Sequence, residues 1–163
     1  MIKLIDILKE NQEVKISATS FNSKAKSFFD KLSPKDVIAL RSWTANLELR
    51  DAKKFGLVSR VAAKKYILNA PNITGVSQEF IKSLVGTSPF NVYRAYKPNV
   101  AGTGLKSYTI RKGTADAFNY WDSKQIDTRT ITYKDVIAVP AISFKNWSEA
   151  GSYLTEYEII LKL

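Results

Sequence analysis

FNVYRAY, residues 90–96, marks the point where the hydrophobic period of this chain changes. Upstream, apolar residues recur every three or four positions, as on helices. Within the stretch, Val92 and Arg94 alternate with Tyr93 and Ala95, as on a strand. The order is therefore helices first, strands second. That order predicts an α+β fold, a helical lobe packed on an antiparallel-rich sheet. The chain has 163 residues, a length that suits one domain, 1–163, with 1–88 mainly helical and 89–163 mainly β.

The upstream half carries its own start and stop signals. In LSPKDVIALRSWTANLELRDAKKFG (32–56), Ser33 is the expected N-cap, Pro34 the first helical residue and Asp36 a first-turn acid. Val37, Leu40 and Trp43 form the apolar stripe, widened by Ile38, and Gly56 can end the run. LVSRVAAKKYIL (57–68) places Leu57, Val61, Ala62 and Ile67 near helical spacing, with Arg60, Lys64 and Lys65 on the outer side. VSQEFIKSL (76–84) reads as a short helix capped by Ser77. The N-terminal MIKLIDILKE has Lys3 and Asp6 inside its apolar run and reads as an amphipathic helix, not a signal peptide.

Downstream of residue 96, NVAGTG (99–104) is a loop and LKSYTI (105–110) a strand. TADAFNYW (114–121) is a short helix capped by Thr114. TRTITY (128–133) and DVIAVPAISF (135–144) are strand candidates, with Pro140 tolerated only at an edge or bulge. YLTEYEIILKL (153–163) is the final strand.

Composition narrows the chemistry. There is no Cys and no His, so disulfides, thiolate and imidazole metal sites, thiol nucleophiles and Ser-His-Asp triads are excluded. Any catalysis must use carboxylates, Arg, Lys, Tyr, Ser or Thr. Net charge is +10, and the first 88 residues carry 15 basic and 8 acidic side chains, a net of +7. A basic balance fits an anionic ligand or polyanionic partner, or simply a solvated basic face. No apolar run approaches the ~20 residues of a membrane span, so the expectation is a cytoplasmic protein with no membrane partner.

Three segments carry candidate chemistry. In the closing strand, alternation puts Glu156 and Glu158 on one face and Tyr157 on the other. On these residues alone, a solvated edge and a paired-carboxylate site both remain open. Arg94 lies mid-strand among apolar neighbours, and a buried Arg needs an anion. Ser107 and Thr109 share a face of the next strand.

An Arg on one strand, a Ser/Thr-x-Ser/Thr strand, then Glu-x-Glu before an apolar run resembles the R-S-E pattern of mono-ADP-ribosyltransferases. In many members an Ala follows the first Ser of the middle motif by eight positions and a Phe follows that Ala by three. Ser107, Ala115 and Phe118 keep that spacing. ITYKDVIAV (131–139) resembles the strand before the last motif, and the run from Leu32 looks like the helical lobe of bacteriophage-type members. Two positions differ from the common pattern: Tyr108 stands at the centre of the middle motif, and Ala95 follows the strand Arg where many members have Gly. The absence of His excludes the H-Y-E branch.

The resemblance implies a two-sheet ADP-ribosyltransferase-like core and NAD as substrate, with no metal. It implies Glu158 as the carboxylate facing the oxocarbenium-like transition state, and Glu156 as the residue handling the acceptor. Arg94 would hold the diphosphate or adjacent ribose, and the backbone at Ala95 the nicotinamide amide. Ser107 would fix Glu158, Thr109 would support the strand, and Phe118 or Tyr108 would face a cofactor ring, although plain core is the preferred reading of Phe118. SFKNWSEAGSYL (143–154) would be the target-recognition loop, with Trp147 or Tyr153 exposed. The implied acceptor is arginine on a host protein, with RNA or an RNA-associated protein open. The implied setting is a monomer in the host cytoplasm or packaged in a virion. A non-enzymatic nucleic-acid-binding or virion-associated protein and an NAD glycohydrolase are the rival readings.

Overall fold

The computed structural model describes residues 12–44, 56–96, 104–122, 125–145 and 157–163, of which 118–122 through the backbone only. The expected N-terminal helix, residues 45–55, Glu156, Trp147 and Tyr153 lie outside the described residues.

The described part of the helical lobe has four helices. Helix α1 (Ala18–Lys26) is capped by Ser17, whose side chain accepts from the Ser20 amide. Helix α2 (Pro34–Thr44) starts as the sequence predicts. The Asp36 amide donates to Ser33 Oγ at 3.2 Å and the Ser33 amide donates to Asp36 Oδ2 at 3.0 Å, a reciprocal capping box. Helix α3 (Arg60–Leu68) is capped by Ser59, which accepts from the Ala62 amide. Helix α4 (Pro71–Val85) buries Ile73, Val76, Ser77, Phe80 and Ile81, a stripe at 3.6-residue period, and stops at Gly86, whose φ is 67°.

Ser77 is therefore no cap. The helix begins six residues earlier at Pro71, since proline suits a first helical position. Ser77 is fully buried mid-helix, and its Oγ accepts from the Val139 amide at 3.0 Å, tying α4 to the strand region.

One five-stranded antiparallel sheet follows, in the order β3-β1-β2-β5-β4. Its strands are β1 (Phe90–Tyr96), β2 (Leu105–Thr109), β3 (Gln125–Ile131), β4 (Val136–Ala138) and β5 (Glu158–Lys162), with α5 (Lys112–Asp122) between β2 and β3. The α+β class holds. A single sheet, not two, is seen among the described residues.

Three local expectations change. Thr114 sits inside α5, which begins at Lys112. Of TRTITY, Thr132 and Tyr133 leave the strand: Thr132 caps a 3₁₀ turn over Tyr133–Asp135, and Asp135 completes a capping box with it. Of DVIAVPAISF, three residues form edge strand β4, and Pro140 opens a 3₁₀ turn (Pro140–Ser143), since its missing amide cannot extend the ladder.

One hydrophobic cluster runs from Phe21, Leu40 and Ile67 in the lobe to Val92, Ile159 and Ile160 in the sheet. Phe80 meets Phe21 edge-on at 5.2 Å and Phe28 at 5.5 Å. β5 is buried on both faces at Ile159, Ile160 and Leu161, which explains its unbroken apolar run. No described helix is long and apolar enough to cross a membrane.

The lobe has a polar hub at Asp36, only 3% exposed. Besides the Ser33 amide, it accepts from Tyr66 Oη at 2.8 Å and Asn72 Nδ2 at 2.8 Å, so one carboxylate ties α2 to α3 and α4. Burial pushes its pKa up, but the bonds from Asn72, Ser33 and Tyr66 prevail and leave it below the ordinary value. A depressed carboxyl contributes stability above its unfolded pKa and loses it as pH falls through the folded value. Asp36→Ala should lower unfolding free energy by about 1–3 kcal/mol, because three donors lose a charged, buried acceptor. It should also flatten the acid limb of the stability profile. Urea denaturation at neutral pH and below pH 4 checks both; an unchanged midpoint at neutral pH would remove Asp36 as the hub.

Candidate functional site

The site is assembled from the end of α2, the start of α3 and the point where β1 and β2 separate. Strand β5 opens at Glu158 because Tyr157 adopts φ 60°, in the left-handed region. Strand alternation is therefore interrupted at Tyr157, and Glu156 lies outside the described residues. The Tyr157 ring packs at 5.2 Å from Phe21, which holds this turn against α1.

Glu158 is opposite Thr109 in the β2–β5 ladder. Ser107 lies two residues along β2, on the same face and diagonal to Glu158, within reach of a side chain. Its hydroxyl donates to Glu158 Oε1. The indole Nε1 of Trp43 donates to the same oxygen at 2.8 Å and to Ser107 Oγ at 3.3 Å. A half-buried carboxylate thus receives an O–H and an N–H on one oxygen, which fixes its rotamer.

Trp43 is itself held. It is 4% exposed, and the Arg60 guanidinium stacks on its ring at 4.6 Å. Its neighbour Ser42 accepts from the Val58 amide at 3.0 Å, bringing the approach to α3 against the end of α2.

Beside this cluster is a cleft of about 380 Å³. Arg60, Lys64, Arg94 and Lys106 line it, with Trp43 and Ser107 at the Glu158 end and Val61 and Leu105 as apolar wall. Among the described residues, four of the eight that line it are cationic and none is acidic. Lys64 reaches across to β2: a Cβ on Gly104, whose φ is 92°, would lie 3.0 Å from its Nζ. Position 104 therefore favours Gly for its backbone, whereas the Lys64 ammonium, at the end of a flexible side chain, can shift from an added Cβ.

The cleft has a topological origin. β1 pairs with β3 at seven positions and β2 with β5 at five, but β1 and β2 share one register pair, Tyr93↔Thr109. Beyond it, Arg94, Ala95 and Tyr96 pair with β3 alone, and Leu105 to Tyr108 with β5 alone. By register Arg94 falls on the Tyr108 side of the sheet, and the parting of the strands lets it line the cleft with Ser107.

Of the residues singled out in the sequence, Arg94 and Ser107 line the cleft and Glu158 is bound to Ser107. Thr109 is buried opposite Glu158, where its Oγ1 accepts from the Arg111 amide at 3.2 Å, a support for the strand end. Ala95 is half-buried in β1 and is not among the lining residues. Phe118 is on α5, its side chain outside the description. Tyr108 cannot face a cofactor ring: it is 2% exposed and donates to Asp127 Oδ2 at 2.5 Å.

Sequence reasoning missed Trp43, Arg60, Lys64 and Lys106. Trp43 read as an apolar stripe residue, although a buried indole N–H needs an acceptor, and that need was the available signal. Arg60 and Lys64 read as the solvated side of a helix. Comparison with known proteins adds no relative: no family model, curated protein or solved structure matches the chain.

On the Tyr108 side, Asp127 binds both Tyr108 and Arg129, the latter at 2.9 Å. Burial raises the Asp127 pKa, but the Tyr108 and Arg129 bonds and the charges of Arg129 and Arg94 bring it below the ordinary value. Burial first, then the bond to Asp127, pushes Tyr108 up to about 12. A raised folded pKa means stability that is complete below the unfolded value near 10 and lost as pH rises through about 12. Tyr108→Phe should remove that part of the alkaline loss while costing about 1 kcal/mol at neutral pH through the lost bond to Asp127, which keeps its bond from Arg129. Thermal unfolding from pH 7 to 12 reads both; an alkaline limb identical to wild type would refute the assignment.

Proposed function

We propose that this protein is an NAD-dependent mono-ADP-ribosyltransferase of the R-S-E class, which releases nicotinamide and passes ADP-ribose to a host macromolecule. The observation that carries the reading is the carboxylate of Glu158, held on one oxygen by Ser107 and Trp43 at the end of a cationic cleft lined by Arg94. The single β1–β2 register pair supports viewing the sheet as two halves, β3–β1 and β2–β5–β4, opened at that cleft. In this reading the two halves of the one sheet stand for the two sheets that the family resemblance implies.

In this reading the bond between C1′ of the nicotinamide ribose and the ring nitrogen breaks with its electron pair leaving on nicotinamide. Positive charge develops on C1′ and the ring oxygen, as in other glycosyl transfers. Glu158 stabilises that charge, and because its donors are already in place little reorganisation is needed when the charge forms. Arg94 takes the diphosphate. An arginine nitrogen of the target then attacks C1′, and Glu156 accepts the proton it loses. No step calls for a metal. The cofactor-side roles of Ala95 and Phe118 and the acceptor loop at 143–153 belong to the same proposal, as does a monomer acting in a host cytoplasm.

A basic nucleic-acid-binding protein is the second reading, favoured by the same four cations of the cleft. Incubation with labelled NAD and bacterial lysate, followed by separate protease and nuclease digestion, tells them apart. Nicotinamide release with protease-sensitive label is the expected result. Release without label on macromolecule makes the protein a glycohydrolase, and no release at all defeats the enzyme reading.

Two variants test the roles of the acids. Glu158→Gln keeps shape and loses charge, so transfer and hydrolysis should both fall by ~10²-fold or more, with an unchanged melting curve as the control. Near-wild-type turnover would remove Glu158 from the mechanism. Glu156→Gln should depress transfer sharply while slow hydrolysis of NAD persists, since water requires less positioning than a guanidinium. Equal losses in the two assays would leave Glu156 without an acceptor role.

A further inference from the structure

Arg60 and Lys64 lie one turn apart on α3, with side-chain roots about 5–6 Å from each other. Local rules disfavour both. Arg60 occupies the first helical position, where the macrodipole opposes a cation. Lys64 adds like charge at i+4, and α3 contains no acidic residue to relieve it. Neither side chain hydrogen-bonds or ion-pairs with another side chain among the described residues, and the same holds for Arg94 and Lys106. Yet the two are positioned: Arg60 is stacked on Trp43, and Lys64 is seated against Gly104 at the mouth of β2. Both face the cleft. Breaches of local preference that converge on one concavity are expected where an external ligand supplies the compensation.

The charge count narrows the ligand. A dinucleotide diphosphate carries two negative charges, which Arg94 and Lys106 on the strand side balance. The α3 pair remains. We propose that Arg60 and Lys64 form a subsite for a phosphate beyond the diphosphate of the donor. The reading of the cleft as a dinucleotide site underlies the assignment of the diphosphate to the strand side. The phosphate has two chemical sources, the 2′-phosphate of a phosphorylated dinucleotide or a phosphodiester of a nucleic acid in the acceptor's place. In either case Arg60 provides a planar donor fork and Lys64 a point charge.

Calorimetric titration of the full chain with ADP-ribose, with 2′-phospho-ADP-ribose, and with a short single-stranded RNA in saturating ADP-ribose tests this. The expected result is that one phosphate-bearing probe gains about tenfold, the 2′-phosphorylated probe over ADP-ribose or RNA over its binding to Lys64→Ala. That gain should shrink between about 50 and 200 mM salt. Lys64→Ala, which places a strong helix former on α3 and so should not threaten folding, should bring the gain towards one, and Lys64→Arg should retain most of it. Which probe responds identifies the source. Equal affinity for the two ADP-ribose forms, together with RNA binding indifferent to Lys64, overturns the subsite. Failure of ADP-ribose to bind, with RNA binding still dependent on Lys64, overturns the dinucleotide reading and keeps the phosphate subsite.

Discussion

The arrangement around the cleft depends on one carboxylate oxygen. Glu158 Oε1 receives the Ser107 hydroxyl from the neighbouring strand and the Trp43 indole N–H from the helical lobe. The indole bond joins parts of the chain 115 residues apart. A half-buried carboxylate without donors would be costly, and a buried indole without an acceptor would be costly too. Each satisfies the other, so α2 is drawn to the end of β2 and β5. The Asp36 hub then fixes α2 against α3 and α4, and the Ser42–Val58 bond brings α3 alongside. The cationic wall of the cleft follows from that chain of contacts.

The two sides of the β1–β2 region handle charge differently. On the Tyr108 side, Asp127 gathers Tyr108 and Arg129 and feels Arg94 through space. That side is internally compensated. The cleft side has four cations and no acid among its described lining residues. Positive charge is thus concentrated where the sheet opens and neutralised where it is closed, which is the distribution a site for an anionic ligand requires.

The opening itself has a backbone cause. β1 and β2 meet at one register pair, so most of each strand is paired on its other edge. Two adjacent strands that share so little of a ladder can diverge without leaving the sheet. Gly104, with φ 92° and Lys64 against it, directly precedes β2.

Much of the local structure was legible in the sequence. The Ser33–Pro34–Asp36 start of α2, the strand FNVYRAY and the apolar run after Glu158 depend on near neighbours, and short-range sterics and capping decide them. The sequence singled out Arg94, Ser107 and Glu158 by an order that resembles a known pattern, and the structure puts Arg94 and Ser107 on one cleft with Glu158 bonded to Ser107. The start of α4 and the role of Ser77 were misread because a serine reads as a cap locally, whereas here its hydroxyl is claimed by the Val139 amide 62 residues away. Pairing of Trp43 with Glu158, the parting of β1 from β2 and the seating of Lys64 on Gly104 are contacts between distant segments. No periodicity encodes them. They arise only when burial brings a donor in one lobe to an acceptor in the other, and so the tertiary structure decided them.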